Sequence, residues 1–100
     1  MENTMSELTV IAKIVAKKDY IENVKAELLK VIEPTRQEEG CIEYLLHQDM
    51  TNPELFFFYE KWSSEGCLEK HMKTDHFNQL VAAIGDITEE VSINRLTQLN

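Results

Sequence analysis

The sequence predicts an α+β domain of the ferredoxin-like class. Strands and helices alternate as β-α-β-β-α-β, which builds a four-stranded antiparallel sheet with helices on one face. Three observations lead there. The apolar period switches between two residues and about 3.6 residues in that order along the chain. The chain has 100 residues and 11.6 kDa, room for a single domain over 1–100 with 1–6 as a flexible extension. The first and third strands are apolar on both faces, more than one helical layer covers. A second copy of the same sheet is the simplest cover, so a homodimer packed sheet to sheet into an α/β barrel is expected.

Each element has its own cause. Residues 8–16 (Leu-Thr-Val-Ile-Ala-Lys-Ile-Val-Ala) are rich in β-branched residues and predict a strand. Asp19 followed by Glu22 has the spacing of a capping box, and Ile21, Val24, Leu28, Val31 and Ile32 follow at helical spacing. Pro34 predicts a kink or break, and Gly40 a C-cap. The acidic excess between Asp19 and Glu39 reads as a solvated helix face. Residues 41–48 predict a second strand, 49–53 a turn, and 55–62 a third strand with Phe56, Phe58, Glu60 and Trp62 on one face. Ser63 or Ser64 can cap a short helix running to Met72, and Thr74 or Asp75 another ending at Gly85. Residues 87–97, with Val91, Ile93 and Leu96 as apolar positions, predict the fourth strand.

Composition narrows the function. Lys and Arg number 10 against 18 Asp and Glu, a net charge of −8, and the lysines are scattered. Such a chain repels phosphates, so neither nucleic acid nor an anionic membrane is expected as a partner. No apolar run has the length of a membrane span, and the polar start lacks signal-peptide character. Cys41 and Cys67 are too few for a disulfide framework, which points to reduced thiols and a cytoplasmic location.

Several motifs carry a family resemblance. These are Leu-Thr-Val-Ile-Ala-Lys-Ile at 8–14, Glu39-Gly40-Cys41-Ile42-Glu43-Tyr44, Tyr59-Glu60-Lys61-Trp62-Ser63, Leu68-Glu69-Lys70-His71 and Thr74-Asp75-His76-Phe77. Their order over nearly the whole chain resembles the antibiotic biosynthesis monooxygenase family of dimeric α/β-barrel proteins, which includes quinol monooxygenases. The resemblance implies a pocket between sheet and helices and, for many relatives, oxygenation without metal or flavin. Other relatives are isomerases or degrade haem. The haem-degrading pattern of an Asn on the first strand and a Trp and a His on helices is not matched. Ile14, His71 and Val81 stand at those places.

Within that frame Glu60 and His71 are the candidate catalytic residues. A carboxylate beside Phe58 and Trp62 is desolvated, and desolvation raises its pKa toward that of a base working near neutrality. His71 falls on or beside the apolar face of its helix, one turn after Cys67 and Leu68, where an imidazole reaches a pocket as base or donor. The structural alternatives are a Glu60 paired with a cation and a His71 hydrogen-bonded in the core. Tyr44, Phe58, Trp62, His76 and Ile14 are the candidate substrate-binding residues. No metal site or cofactor is expected, because no HExxH or facial-triad spacing occurs. The expected reaction joins a small phenolic, quinol or polyketide-like substrate to O₂. The alternatives are an isomerase that abstracts a proton next to a carbonyl, with only Arg36 and Arg95 to anchor a phosphate, and a ligand-binding dimer without catalysis.

Overall fold

A computed structural model describes residues 7–100. The expectation of a flexible extension at 1–6 lies outside the described residues. Strand β1 (Leu8–Ala16) leads through a 3-10 turn (Lys18–Tyr20) into helices α1 (Ile21–Lys30) and α2 (Ile32–Arg36). Strands β2 (Cys41–Gln48) and β3 (Leu55–Trp62) follow, then α3 (Glu65–His71), α4 (Asp75–Ile84), a 3-10 turn (Gly85–Ile87) and β4 (Thr88–Leu96). The sheet order is β2-β3-β1-β4 and every pairing is antiparallel, the ferredoxin-like arrangement.

Alternation sorts the sheet into two faces. Val10, Ala12, Ile14 and Ala16 of β1 and Phe56, Phe58, Glu60 and Trp62 of β3 are buried on the helical face. Val24 and Leu28 of α1, Leu68 and His71 of α3, and Leu80 and Ile84 of α4 close over them. Register sets Ala12 between Phe58 on one side and Ile93 on the other. A methyl group between two large neighbours leaves a hollow in the sheet surface. Val91 and Ile93 lie opposite Ile14 and Ala12 on this same face, yet they are 51% and 41% exposed, so the helices leave the β4 edge open.

Local chemistry accounts for most boundaries. Ser64 Oγ accepts the Cys67 N–H at 3.3 Å and caps α3, and Thr74 Oγ1 accepts the Phe77 N–H at 3.2 Å and caps α4. The helical run breaks at Val31, and Pro34 then sits in the first turn of α2, where it needs no hydrogen-bond donor. Gly40 has φ +91°, and a Cβ there would collide with Cys67 Sγ and lie 2.8 Å from Cys67 Cβ, so the turn into β2 needs glycine twice over.

One capping expectation is corrected. Asp19 does not cap a helix. The Tyr20 N–H bonds to Lys17 O at 2.8 Å, which draws Asp19 into a 3-10 turn and leaves Tyr20 at the N-cap without a side-chain bond. Gly85 is the C-cap that ends α4, as expected, and with φ −56° it also opens the second 3-10 turn. Among the described residues no helix is long and apolar enough to cross a membrane.

Candidate active site

The hollow above Ala12 is a cavity of about 50 Å³ between the sheet and α1, α3 and α4. Its wall is almost wholly apolar, and the ionisable side chains on it are Glu60, His71 and Tyr44. Strand alternation aims Glu60 at this side, and the end of α3 turns His71 toward it.

Glu60 is 4% exposed and accepts one hydrogen bond, from Trp62 Nε1 at 2.9 Å. Burial pushes its carboxyl up to about 7, the Glu38 charge adds to the rise, and the indole hydrogen bond works against it. Such a group is shared between acid and carboxylate at neutral pH.

His71 is 2% exposed and packs among Trp62, Tyr44 and Phe77, with ring centroids 4.8, 5.7 and 5.0 Å away. Burial holds the imidazolium below its ordinary range, against the hydrogen bond and charge of Glu38. Glu38 Oε2 lies 2.8 Å from His71 Nδ1 and 2.6 Å from His76 Nε2. An ionised carboxylate only accepts, so His71 carries its proton on Nδ1 and leaves Nε2 as an acceptor.

Tyr44 stacks on Phe58 with centroids 4.5 Å apart. Burial and the Glu60 charge raise the phenol well above its ordinary range, so it stays a neutral donor. The wholly buried Thr35 hydroxyl lies beside the phenol and tempers this shift, though it forms no hydrogen bond of good geometry. Arg36 donates to Tyr44 O at 2.9 and 3.2 Å and ties α2 to β2. Burial and the charges of Glu38 and Glu60 push the Cys41 thiol up to about 11, so it remains protonated.

Of the candidates read from sequence, Glu60, His71, Tyr44, Phe58 and Ile14 line the cavity. Trp62 and His76 do not line it. Trp62 is wholly buried behind Glu60, and His76 stands behind His71 on the far side of Glu38. Glu38 is the residue missed. It belongs to the acidic stretch read as a solvated face, yet it reaches inward from the turn before β2. The signal was its place just before Gly40, whose positive φ redirects the chain there. The neighbouring Glu39, quoted in the motif, is exposed.

The fold is a ferredoxin-like α+β domain with Glu60 and His71 on one largely apolar cavity under its helices. The chain belongs to the antibiotic biosynthesis monooxygenase family, whose pattern matches residues 7–83. A Mycobacterium tuberculosis protein named "Putative monooxygenase Rv0793" is 31% identical over 95% of this chain and 94% of its own. The uncharacterized protein sll1783 of Synechocystis is 34% identical over 80% of this chain, which spans 54% of that relative's length. The crystal structure of PA3566 from Pseudomonas aeruginosa superimposes with a TM-score of 0.90 at 35% identity, covering 95% of this chain and 96% of the other.

Proposed function

We propose that this protein is a monooxygenase that needs no metal or flavin and oxidises a small phenolic, quinol or polyketide-like substrate with O₂. The observation that carries this reading is the placement of Glu60 and His71 on one apolar cavity beside Tyr44 and Phe58. Glu60 or His71 takes a proton from an activated C–H or phenol. The resulting anion gives one electron to O₂, and the radical pair combines into a hydroperoxide. Loss of water from the hydroperoxide leaves a new C=O. One oxygen atom enters the product and the other leaves as water with the two hydrogens of the substrate. Apolar walls suit the neutral ring and O₂, and the Tyr44 hydroxyl supplies a donor to the developing oxyanion.

A cavity of about 50 Å³ holds only a few waters. Ring-sized substrates therefore enter by displacing side chains at the open β4 edge, where Val81, Val91 and Ile93 line the mouth and the pliable Met72 stands close by.

The opposite sheet face supports a homodimer. Ile11 pairs across β1 and β3 with Tyr59, Tyr59 with Leu45, and Val15 with Leu55, an apolar patch over which no helix lies among the described residues. An isomerase for a phosphorylated substrate has less support. Arg36 is committed to Tyr44 O, and neither Arg36 nor Arg95 lines the cavity.

The test is oxygen uptake by chelator-treated protein with hydroquinones and anthrone-like phenols, corrected for autoxidation. Uptake that falls in folded Glu60→Gln or His71→Ala protein supports the oxygenase. Background rates throughout would refute it.

A further inference from the structure

We propose that Glu38, His71 and His76 form a binding site for a divalent transition ion of the zinc type, set behind the cavity wall. The three donors come from separate elements: the turn before β2, the last residue of α3 and the first turn of α4. One nitrogen or oxygen from each lies within 4.8 Å of the others. Two imidazoles and a carboxylate form the ligand set that Zn²⁺ and its transition-row neighbours take, whereas Mg²⁺ and Ca²⁺ seek more oxygens.

Charge points the same way. The Glu38 side chain is 13% exposed, and among the described residues its only ion-pair partners are the two imidazoles. Arg36, close in sequence, turns to Tyr44 O. A largely buried anion without a lysine or arginine takes its counter-charge from protons on the imidazoles or from a metal ion. The net charge of −8 draws cations toward the whole molecule.

The geometry needs a small adjustment. Metal bonds of about 2.0–2.1 Å in a tetrahedron set donors ~3.3 Å apart. The present contacts of 2.8 and 2.6 Å therefore lengthen on binding. The His76 side chain is 25% exposed at a helix start and has room to move, whereas His71 is clamped by aromatic rings. Water fills the remaining coordination position.

Binding has a chemical consequence that rests on the proposed oxygenase reading. Without metal, His71 holds its proton on Nδ1. An ion on Nδ1 places the proton on Nε2 instead, and the imidazole can no longer accept a proton from a substrate. The ion is thus an inhibitor acting through the wall of the site.

The test uses the full chain, free of affinity tag and stripped with chelator, titrated with Co²⁺. The expected result is visible d–d absorption that saturates at one equivalent and is displaced by Zn²⁺. It persists in the Cys41→Ser/Cys67→Ser double variant. His76→Ala and Glu38→Gln, each checked for folding by amide NMR, weaken binding by more than about 100-fold. In zinc-loaded protein, imidazole ¹⁵N shifts place the His71 proton on Nε2. The proposal is overturned by any of three outcomes: no saturable absorption, absorption unchanged in both ligand variants, or thiolate charge-transfer bands that vanish with the cysteines. A saturating spectrum in a protein without oxygen uptake upholds the metal site and counts against the oxygenase alone.

Discussion

The indole N–H of Trp62 donates to Glu60 Oε1 at 2.9 Å, and both residues are buried. Both lie on the same face of β3, two residues apart, so the strand's pleat brings them together. Trp62 steadies a buried carboxylate and holds down part of the rise that burial imposes.

Replacing Trp62 with Phe removes that donor. The Glu60 pKa is expected to climb further, moving the alkaline onset of turnover to higher pH. The smaller ring also costs about 1–3 kcal/mol of stability. Carboxyl ¹³C titration of wild type and Trp62→Phe checks the direction, and thermal melts check the cost.

Glu60 also ties stability to pH. Its folded pKa of about 7 exceeds the reference value of 4.5, so the native state binds the proton more tightly than the unfolded chain. This contribution is complete below the unfolded value and is lost as pH rises through about 7. Glu60→Gln lacks the dependence. The stability difference between variant and wild type is expected to move toward the variant by roughly 3 kcal/mol between pH 4 and 8. Urea denaturation of both proteins across that range measures it, and a constant difference contradicts it.

Glu38 is hydrogen-bonded to His71 Nδ1 and does not line the cavity, so in the proposed oxygenase it acts by positioning His71. Glu38→Gln keeps the shape but removes the charge that supports an imidazolium at His71. Oxygenase kcat is expected to fall about 10–100-fold with little change in KM. The ¹⁵N shifts of His71 are expected to lose the single Nδ1–H form. An unchanged tautomer would show that Glu38 is structural only.

Gly40→Ala tests the turn that carries Glu38 inward. The positive φ and the collision with Cys67 are expected to cost about 1–3 kcal/mol or more, lowering Tm by several degrees. Differential scanning calorimetry reads the shift.

The outer sheet face is tested by Ile11→Lys. Ile11 faces away from the helices and is not part of the buried core, so the domain is expected to fold. Light scattering is expected to give a dimer for wild type and a monomer for the variant. A monomeric wild type removes the sheet-to-sheet dimer.

Much of the fold was legible because period-two alternation survives burial. Phe56, Phe58, Glu60 and Trp62 reveal their common face in the sequence itself, and Ser64 and Thr74 sit where caps belong. Asp19 misled because its spacing to Glu22 fits a capping box, while the backbone chose a 3-10 turn that the side chains do not announce. The site was half legible. Glu60 and His71 each lie on an element whose period shows its direction. Glu38 lies in a turn, where no period exists, and it meets the histidines across 33 and 38 residues of chain. His71 ends one helix and His76 opens the next, and both reach one oxygen of Glu38. Trp62 was read as pocket lining because parity gives a side chain's face and not its depth.

The most direct test of the central claim is isotope incorporation under ¹⁸O₂ by chelator-treated protein, with an anthrone-like phenol or hydroquinone that supports uptake. The expected result is one ¹⁸O atom in the product, with the rate lowered at least about 100-fold in folded Glu60→Gln or His71→Ala. Product formed without ¹⁸O, or labelled equally fast by both variants, would contradict a site in which these two residues prepare the substrate for O₂.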